Sequence, residues 1–147
     1  MRARFASVVL ALLVLTGMMT VGVSPAHAAG CFDWGCDGKD PQAYGCSADA
    51  FTIENFSYGG AYLELRYSPA CRAAWTRSTS NTWYNTVFAH IDGWDQLGGG
   101  NLIRDYWAQV VSGTTWTAMV PFDLWVQSCV GPDAWGAAYP GQCTSRH

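Results

Sequence analysis

Residues 46–77, CSADAFTIENFSYGGAYLELRYSPACRAAWTR, decide the fold of this chain. Two cysteines bracket two runs, residues 51–56 and 61–67, in which apolar and polar side chains alternate. The pair Gly59-Gly60 lies between the runs. Alternation with a period of two residues on either side of a glycine turn predicts a β-hairpin with one buried face.

Outside the hairpin, several shorter runs favour strands because they are rich in β-branched and aromatic residues. These runs are residues 71–77, 81–91, 102–111, 114–120 and 122–130. Residues 102–111 would also suit a short helix, but a strand is preferred because the neighbouring segments are strands. Residues 90–101 end in a glycine run and are interpreted as a loop. About six to eight short strands predict a mainly β fold, either a small disulfide-linked sandwich or a partly closed barrel.

The six cysteines all lie after residue 30, and their even number predicts a disulfide framework. They are Cys31, Cys36, Cys46, Cys71, Cys129 and Cys143. Six cysteines allow 15 pairings, and the sequence does not choose among them. A zinc site is less favoured, because the Cys31-x4-Cys36 spacing differs from the C-x2-C spacing of a zinc knuckle.

The first 28 residues are interpreted as an export signal and not as part of the fold. A basic start and a long apolar run are followed by Ala-His-Ala at residues 26–28, which fits a cleavage site. An uncleaved membrane anchor and a lipoprotein lipidated at Cys31 are less favoured alternatives. The prediction is a signal peptide over residues 1–28 and a single secreted, disulfide-stapled β domain over residues 29–147.

The composition of that domain restricts its partners. Without the signal segment, six basic residues face eleven acidic ones, so the net charge is about −5. Nucleic acids and anionic membrane surfaces require basic patches and are therefore excluded as partners. Aromatic residues make up 14% of the chain and include eight tryptophans, so rings must build the core or be exposed for binding.

Three segments carry a resemblance to a known family. They are residues 31–46 (CFDWGCDGKDPQAYGC), 48–52 (ADAFT) and 65–77 (LRYSPACRAAWTR), with a looser likeness at residues 117–120 and at Cys129. The chain resembles the YjfA-like family of small secreted domains of unknown function from Gram-positive bacteria, of DUF2690 type. The resemblance implies secretion and a β-rich, cysteine-linked fold, and it implies no catalytic residues.

Catalysis is weakly supported by the residues themselves. A serine-type hydrolase would have to use His90, with Asp92 or Asp95 as the group that orients it. The G-x-S-x-G motif is absent, and an even number of cysteines leaves no thiol as a nucleophile. Glu54 and Glu64, on the two arms of the hairpin, are a candidate carboxylate pair for glycoside cleavage. A solvated strand surface explains the two glutamates more simply.

The sequence likewise predicts neither a metal site nor a cofactor. Asp33, Asp37 and Asp40 fall within eight residues and raise the question of calcium binding. Their spacing is not that of an EF-hand loop. Aspartate before glycine or proline is typical of turns, which is the preferred interpretation.

Binding by exposed tryptophan is the best supported activity, because indole offers a flat apolar face and a polar N–H. Trp94 lies between Asp92 and Asp95 in the predicted glycine loop, and with His90 these residues form the candidate binding site. Trp34 and Trp135 lie in the cysteine-framed ends. The tryptophans inside strand-like runs are expected in the core: Trp75, Trp107, Trp116 and Trp125.

The sequence thus predicts a secreted, non-catalytic module that binds an extracellular polysaccharide, such as cell wall, or a protein. One alternative is a secreted hydrolase that uses His90 or the acidic residues. Another is a protease inhibitor that presents residues 92–101 as a disulfide-braced loop.

Overall fold

The structure is a computed structural model that describes residues 29–82, 87–97, 99–131 and 141–147. The predicted signal peptide, residues 1–28, lies outside the described residues. No helix among the described residues is long and apolar enough to cross a membrane. The strands in these residues are β1 (Phe51–Tyr58), β2 (Ala61–Ser68), β3 (Ala73–Ser80), β4 (Phe88–Trp94), β5 (Leu102–Gln109), β6 (Gly113–Trp116), β7 (Val120–Pro121), β8 (Trp125–Gly131) and β9 (Gln142–Cys143). Two short 3-10 helices, Asp33–Cys36 and Cys46–Ala48, precede them.

The strands form two antiparallel sheets. Sheet A has the order β1-β2-β3-β6, with β7 also pairing with β3, and sheet B has the order β5-β4-β8-β9. The sheets pack face to face, so the predicted mainly β fold is confirmed in its sandwich form, and no closed barrel is present among the described strands.

The hairpin of β1 and β2 forms where the sequence predicts it. Tyr58 pairs with Ala61, so the loop has two residues, Gly59 and Gly60. Their φ angles are 58° and 93°. A two-residue hairpin turn with positive φ at both positions strongly favours glycine, because a Cβ is strained there.

The main core lies between the sheets and consists of small and medium aliphatic side chains. One part contains Ala61, Leu63, Ala89, Val110 and Val130, and the other contains Leu65, Ala74, Ile91, Val120 and Val126. Successive side chains of a strand point to opposite faces, so β4 directs Ala89 and Ile91 inward. Its residues His90, Asp92 and Trp94 therefore lie on the outer face of sheet B.

A second, smaller core covers the outer face of sheet A. Residues 29–50 fold over β3, and the buried residues there are Cys36, Cys46, Cys71, Ala73, Trp75 and Met119. The predicted disulfides are confirmed and join each cysteine to the next in sequence: Cys31–Cys36, Cys46–Cys71 and Cys129–Cys143. The first two pin this N-terminal cap, and the third joins β8 to β9.

Two local predictions have opposite outcomes. The strand preferred for residues 102–111 is confirmed as β5. The loop predicted for residues 90–101 is wrong in its first half, because β4 continues to Trp94. Position 93 favours glycine because Leu124 packs closely against it: a Cβ there would lie 2.6 Å from Cδ1 of Leu124.

Candidate functional site

The centre of sheet B carries three of the four residues predicted to bind a ligand. His90, Asp92 and Trp94 lie on successive outward positions of β4, flanked by β5 on one side and β8 on the other. His90 is only 2% exposed and Asp92 is 0% exposed. These two side chains are therefore buried on a face that points away from the sandwich core.

His90 forms an ion-pair-like contact with an acid on the neighbouring strand. Its Nδ1 lies 3.0 Å from Oδ1 of Asp105, whose side chain is 21% exposed. The two aspartates Asp92 and Asp105 are directly opposite in the pairing of β4 with β5. One nitrogen of His90 and one oxygen of each aspartate all lie within 4.8 Å of one another.

The carboxylate of Asp92 lacks a conventional hydrogen-bond donor in the described part of the chain. Its Oδ1 is buried and has no partner. Its Oδ2 lies 3.5 Å from Sγ of Cys129, but this sulfur belongs to a disulfide and carries no proton to donate. Burial, followed by repulsion from Asp105, raises the pKa of Asp92 to about 7.

Trp94 is not the freely exposed ring that the sequence predicts. It is half-buried at the end of β4, and the guanidinium carbon of Arg146 lies 3.8 Å from its ring centroid. Its Nε1 is buried and has no hydrogen-bond partner among the described residues. The near face of this indole is therefore occupied by a cation of the same chain.

Asp95, the fourth candidate, shapes the loop that follows β4. Its Oδ1 accepts a hydrogen bond from the backbone of Leu97, and its own N–H donates to the carbonyl of Asn101. Leu97 is 99% exposed. None of the three disulfides lies in residues 95–101, so the loop proposed for a protease inhibitor has no covalent brace of its own.

The tryptophans expected in the core divide into two groups. Trp75 is buried, as predicted, and Trp116 is partly buried against the N-terminal cap. Trp107 and Trp125 are 50% and 41% exposed, so their assignment to the core is wrong. They occupy outward positions of β5 and β8, opposite His90 and Trp94 respectively.

Two further tryptophans, Trp34 and Trp135, belong to the cysteine-framed ends of the domain. Trp34 is 47% exposed, and its ring lies near the guanidinium of Arg104. Trp135 lies outside the described residues.

The three aspartates for which calcium binding was considered, Asp33, Asp37 and Asp40, have separate contacts. Asp37 accepts hydrogen bonds from Nε of Arg104 at 2.6 Å and from the hydroxyl of Tyr106 at 3.0 Å. Asp40 accepts from two backbone N–H groups of its own turn and from Nε1 of Trp116. Asp33 instead lies beside Arg72. The turn role predicted for Asp40 fits these contacts, and the three carboxylates do not form a common group of ligating atoms.

Glu54 and Glu64 do not form a carboxylate pair. Glu54 lies opposite Leu65 and accepts hydrogen bonds from the C-terminal residues Ser145 and His147. Glu64 points to the outer face of sheet A, where Arg77 and Thr52 donate to it. The two carboxylates have different partners on different elements, which removes the geometry of a glycosidase pair.

Asp105 is the residue of this site that the sequence analysis missed. The alternation of residues 102–109 places Asp105 on one face with Trp107, and that pattern was visible. Its position opposite Asp92 depends on the register between β4 and β5, which a loop interpretation of residues 90–101 concealed.

Comparison with known proteins gives a family. Residues 34–141 match the profile of the family described as Protein of unknown function (DUF2690). The chain belongs to this family. No curated protein and no solved structure matches the chain.

The DUF2690 match includes the outer face of sheet B and the whole of the Cys46–Cys71 disulfide. Cys31 and Cys143 lie just outside it, so each of the other two disulfides has one partner beyond the matched region. The YjfA-like grouping and the Gram-positive origin stay predictions.

Proposed function

We propose that this DUF2690 protein is a secreted, non-catalytic module that binds polysaccharide, such as cell-wall material, through the outer face of sheet B. The observation that carries the proposal is the exposure of two indole rings, Trp107 and Trp125, on that face. Exposed indole rings that share one face of a sheet favour a role in recognition, because each offers a flat apolar surface and a polar N–H.

The spacing of the two rings favours an extended ligand. Their strands flank β4, and their positions differ by four residues along it, from His90 to Trp94. The backbone positions are thus separated by about 10 Å across the sheet and about 13 Å along it. A single monosaccharide cannot contact both rings, whereas an oligosaccharide chain can.

The surroundings of the rings also suit a sugar ligand. Phe88 contacts Trp107 edge to face, with 5.2 Å between the ring centroids, which limits the mobility of the indole. The partly exposed polar residues Asp105 and Gln127 lie on the same face and can hydrogen-bond to hydroxyl groups. Apolar platforms with a few polar groups between them are what a sugar ring requires, because its faces are apolar and its edges are polar.

Two further features support the location and the lack of catalysis. Three disulfides are typical of proteins that work in an oxidising compartment, which fits the predicted signal peptide over residues 1–28. His90 and Asp92, the groups a hydrolase would use, are buried and cannot touch a substrate without rearrangement. A non-catalytic role therefore agrees better with their positions.

Binding to insoluble cell-wall polysaccharide stripped of protein tests the proposal. We expect saturable retention of the purified domain, and a loss of affinity of about tenfold or more in Trp107→Ala and in Trp125→Ala. Tyr62→Ala is the matched control, because Tyr62 is 42% exposed on the outer face of sheet A. The control should bind as the natural protein does.

Other outcomes would replace the proposal. Equal retention of all variants, or none of the natural protein, would contradict a polysaccharide site on sheet B. Capture of a supernatant protein, lost in Trp107→Ala, would instead identify a protein partner. Turnover of a glycoside or ester panel, lost in His90→Ala, would support the hydrolase alternative.

A further inference from the structure

Asp92 is a buried acid that lacks a hydrogen-bond donor among the described residues. It is fully buried, its Oδ1 has no partner, and its Oδ2 lies 3.5 Å from a disulfide sulfur. An ionised carboxylate buried without donors or a cation is costly, by several kcal/mol in typical cases. Such a group is tolerated when it takes up a proton or when a cation binds to it.

The side chains around Asp92 are of the kinds that bind metal ions. Asp105 lies directly opposite it across the β4–β5 pairing, and His90 is two residues before it on the same face. The three ligating atoms lie within 4.8 Å of one another. A metal ion needs ligand atoms close enough together to contact it at the same time, and paired strands of a sheet hold side chains in such fixed positions.

We propose that His90, Asp92 and Asp105 form a binding site for one divalent metal ion on the outer face of sheet B. The cation would neutralise the two adjacent carboxylates and satisfy the buried oxygen of Asp92. The sequence analysis predicted no metal, because it lacked the strand register that brings Asp105 to this place. The proposal does not depend on polysaccharide binding.

The donor set indicates the class of metal. One imidazole nitrogen and two carboxylates suit Zn²⁺ or Mn²⁺, which accept mixed nitrogen and oxygen ligands. Calcium is less suited, because it takes six to eight oxygen ligands and three protein groups supply only part of that number. The site also differs from the aspartates at residues 33, 37 and 40. Asp37 and Asp40 accept hydrogen bonds from the chain itself, and Asp33, whose buried Oδ1 also has no hydrogen-bond partner, lies beside Arg72 and not with a second acid and a histidine in a group of close ligand atoms.

Metal titration of the purified, chelator-treated domain tests the proposal. We expect ZnCl₂ or MnCl₂ to bind with a stoichiometry of one by isothermal titration calorimetry. At a large excess over Kd the thermal midpoint should rise by at least about 5 °C. CaCl₂ should give a smaller shift or none.

The decisive variant is Asp92→Asn, which keeps the shape of the side chain and removes its charge. We expect about 100-fold weaker binding, with similar losses for Asp105→Asn and His90→Gln. His147→Gln is the matched control, since His147 forms a surface pair with Glu54 that is another place where zinc could bind. The control should bind the metal with unchanged affinity.

Three results would overturn the proposal. The first is the absence of saturable binding of either metal to the natural protein, and the second is undiminished affinity in Asp92→Asn. The third is loss of binding in His147→Gln, which would place the metal at the surface pair of His147 and Glu54. Since Asp92→Asn removes a buried charge, it is expected to fold, and its own unfolding curve shows whether it does.

Discussion

Glu64 on sheet A and Asp92 on sheet B are two buried carboxylates of one sandwich, and they differ in the hydrogen bonds that they receive. Glu64 receives hydrogen bonds from Nε and Nη2 of Arg77 at 2.6 and 2.8 Å and from Thr52 at 2.7 Å. Asp92 receives none from the described residues. A buried charge that the chain itself neutralises is a structural element, whereas one left without donors is available for a proton or an external cation.

The outer faces of the two sheets also differ in how far the chain itself covers them. Part of the outer face of sheet A is covered by a cap that two disulfides pin in place, and the buried cluster there contains Trp75 and half-cystines. Tyr62 stays exposed on the remainder of that face. Sheet B exposes Trp107 and Trp125 beside the buried Asp92. These exposed rings are the reason for proposing that the outer face of sheet B binds a ligand.

The largest expected effect comes from removing the brace of the sheet A cap. Replacing Cys46 and Cys71 together by alanine opens a link of 25 residues and should lower the free energy of unfolding by about 4 kcal/mol. Urea unfolding followed by tryptophan fluorescence measures this. Metal binding at sheet B should keep its affinity if the variant is folded, and a loss would mean that the two faces are not independent.

Removing Arg77, the closer of the two cations beside Glu64, should cost somewhat less. Arg77→Ala leaves a carboxylate that is 6% exposed without its main partner, and we expect a loss of about 3 kcal/mol. Because Arg77 is partly exposed, we place the expected loss in the free energy of unfolding at the lower end of the range that is usual for breaking a buried ion pair. Arg72→Ala is the control, because its pair with Asp123 is exposed and should contribute less than about 1 kcal/mol.

The two carboxylates should also respond oppositely to pH. Burial by itself raises the pKa of Glu64, but the hydrogen bonds from Arg77 and Thr52 outweigh it, so the pKa is lowered. A lowered pKa gives stability that is present above the ordinary value of 4.5 and lost as the pH falls through the folded value. A raised pKa, as for Asp92, gives a penalty that grows from pH 3.8 to about 7 and is constant above.

Comparison of Asp92→Asn with the natural protein isolates the second effect. In chelator, we expect the variant to gain between about 2 and 3 kcal/mol relative to the natural protein when the pH is raised from about 5 to about 8. Denaturant midpoints at the two pH values measure the gain. An equal difference at both values would show that Asp92 is not a strained buried acid.

The smallest effect is expected at the edge of the sandwich. His147 donates to Glu54 at 2.8 Å, and this hydrogen bond lowers the pKa of Glu54. Both side chains are about one third exposed, so Glu54→Gln should change the free energy of unfolding by less than about 1 kcal/mol. A larger loss, measured by urea unfolding, would mean that the C-terminal residues are more important for folding than their exposure indicates.

The sequence predicted the fold well where local chemistry decides the structure. The hairpin follows from alternation and from Gly59-Gly60, and the disulfides follow from an even number of cysteines. The outer face of sheet B was predicted less well, because strand alternation says which side chains share a face but not which face is covered. Trp107 was therefore assigned to the core although it points outward.

The position of β4 shows a second limit. Gly93 and its neighbouring aspartates looked like a turn, because glycine and aspartate are the usual turn residues. The structure uses Gly93 for its lack of a side chain beside Leu124, a reason that depends on a residue 31 positions later. Asp105 could not be recognised as a partner of Asp92 until β4 was known to reach it.

The pairing of each cysteine with the next in sequence has a consequence for biogenesis. The three links span 5, 25 and 14 residues, and none encloses or crosses another. If the domain is exported with its N-terminus first, as proposed above, joining each thiol to the next one that emerges gives the native pattern. This order of closure requires no bridge to be broken and remade.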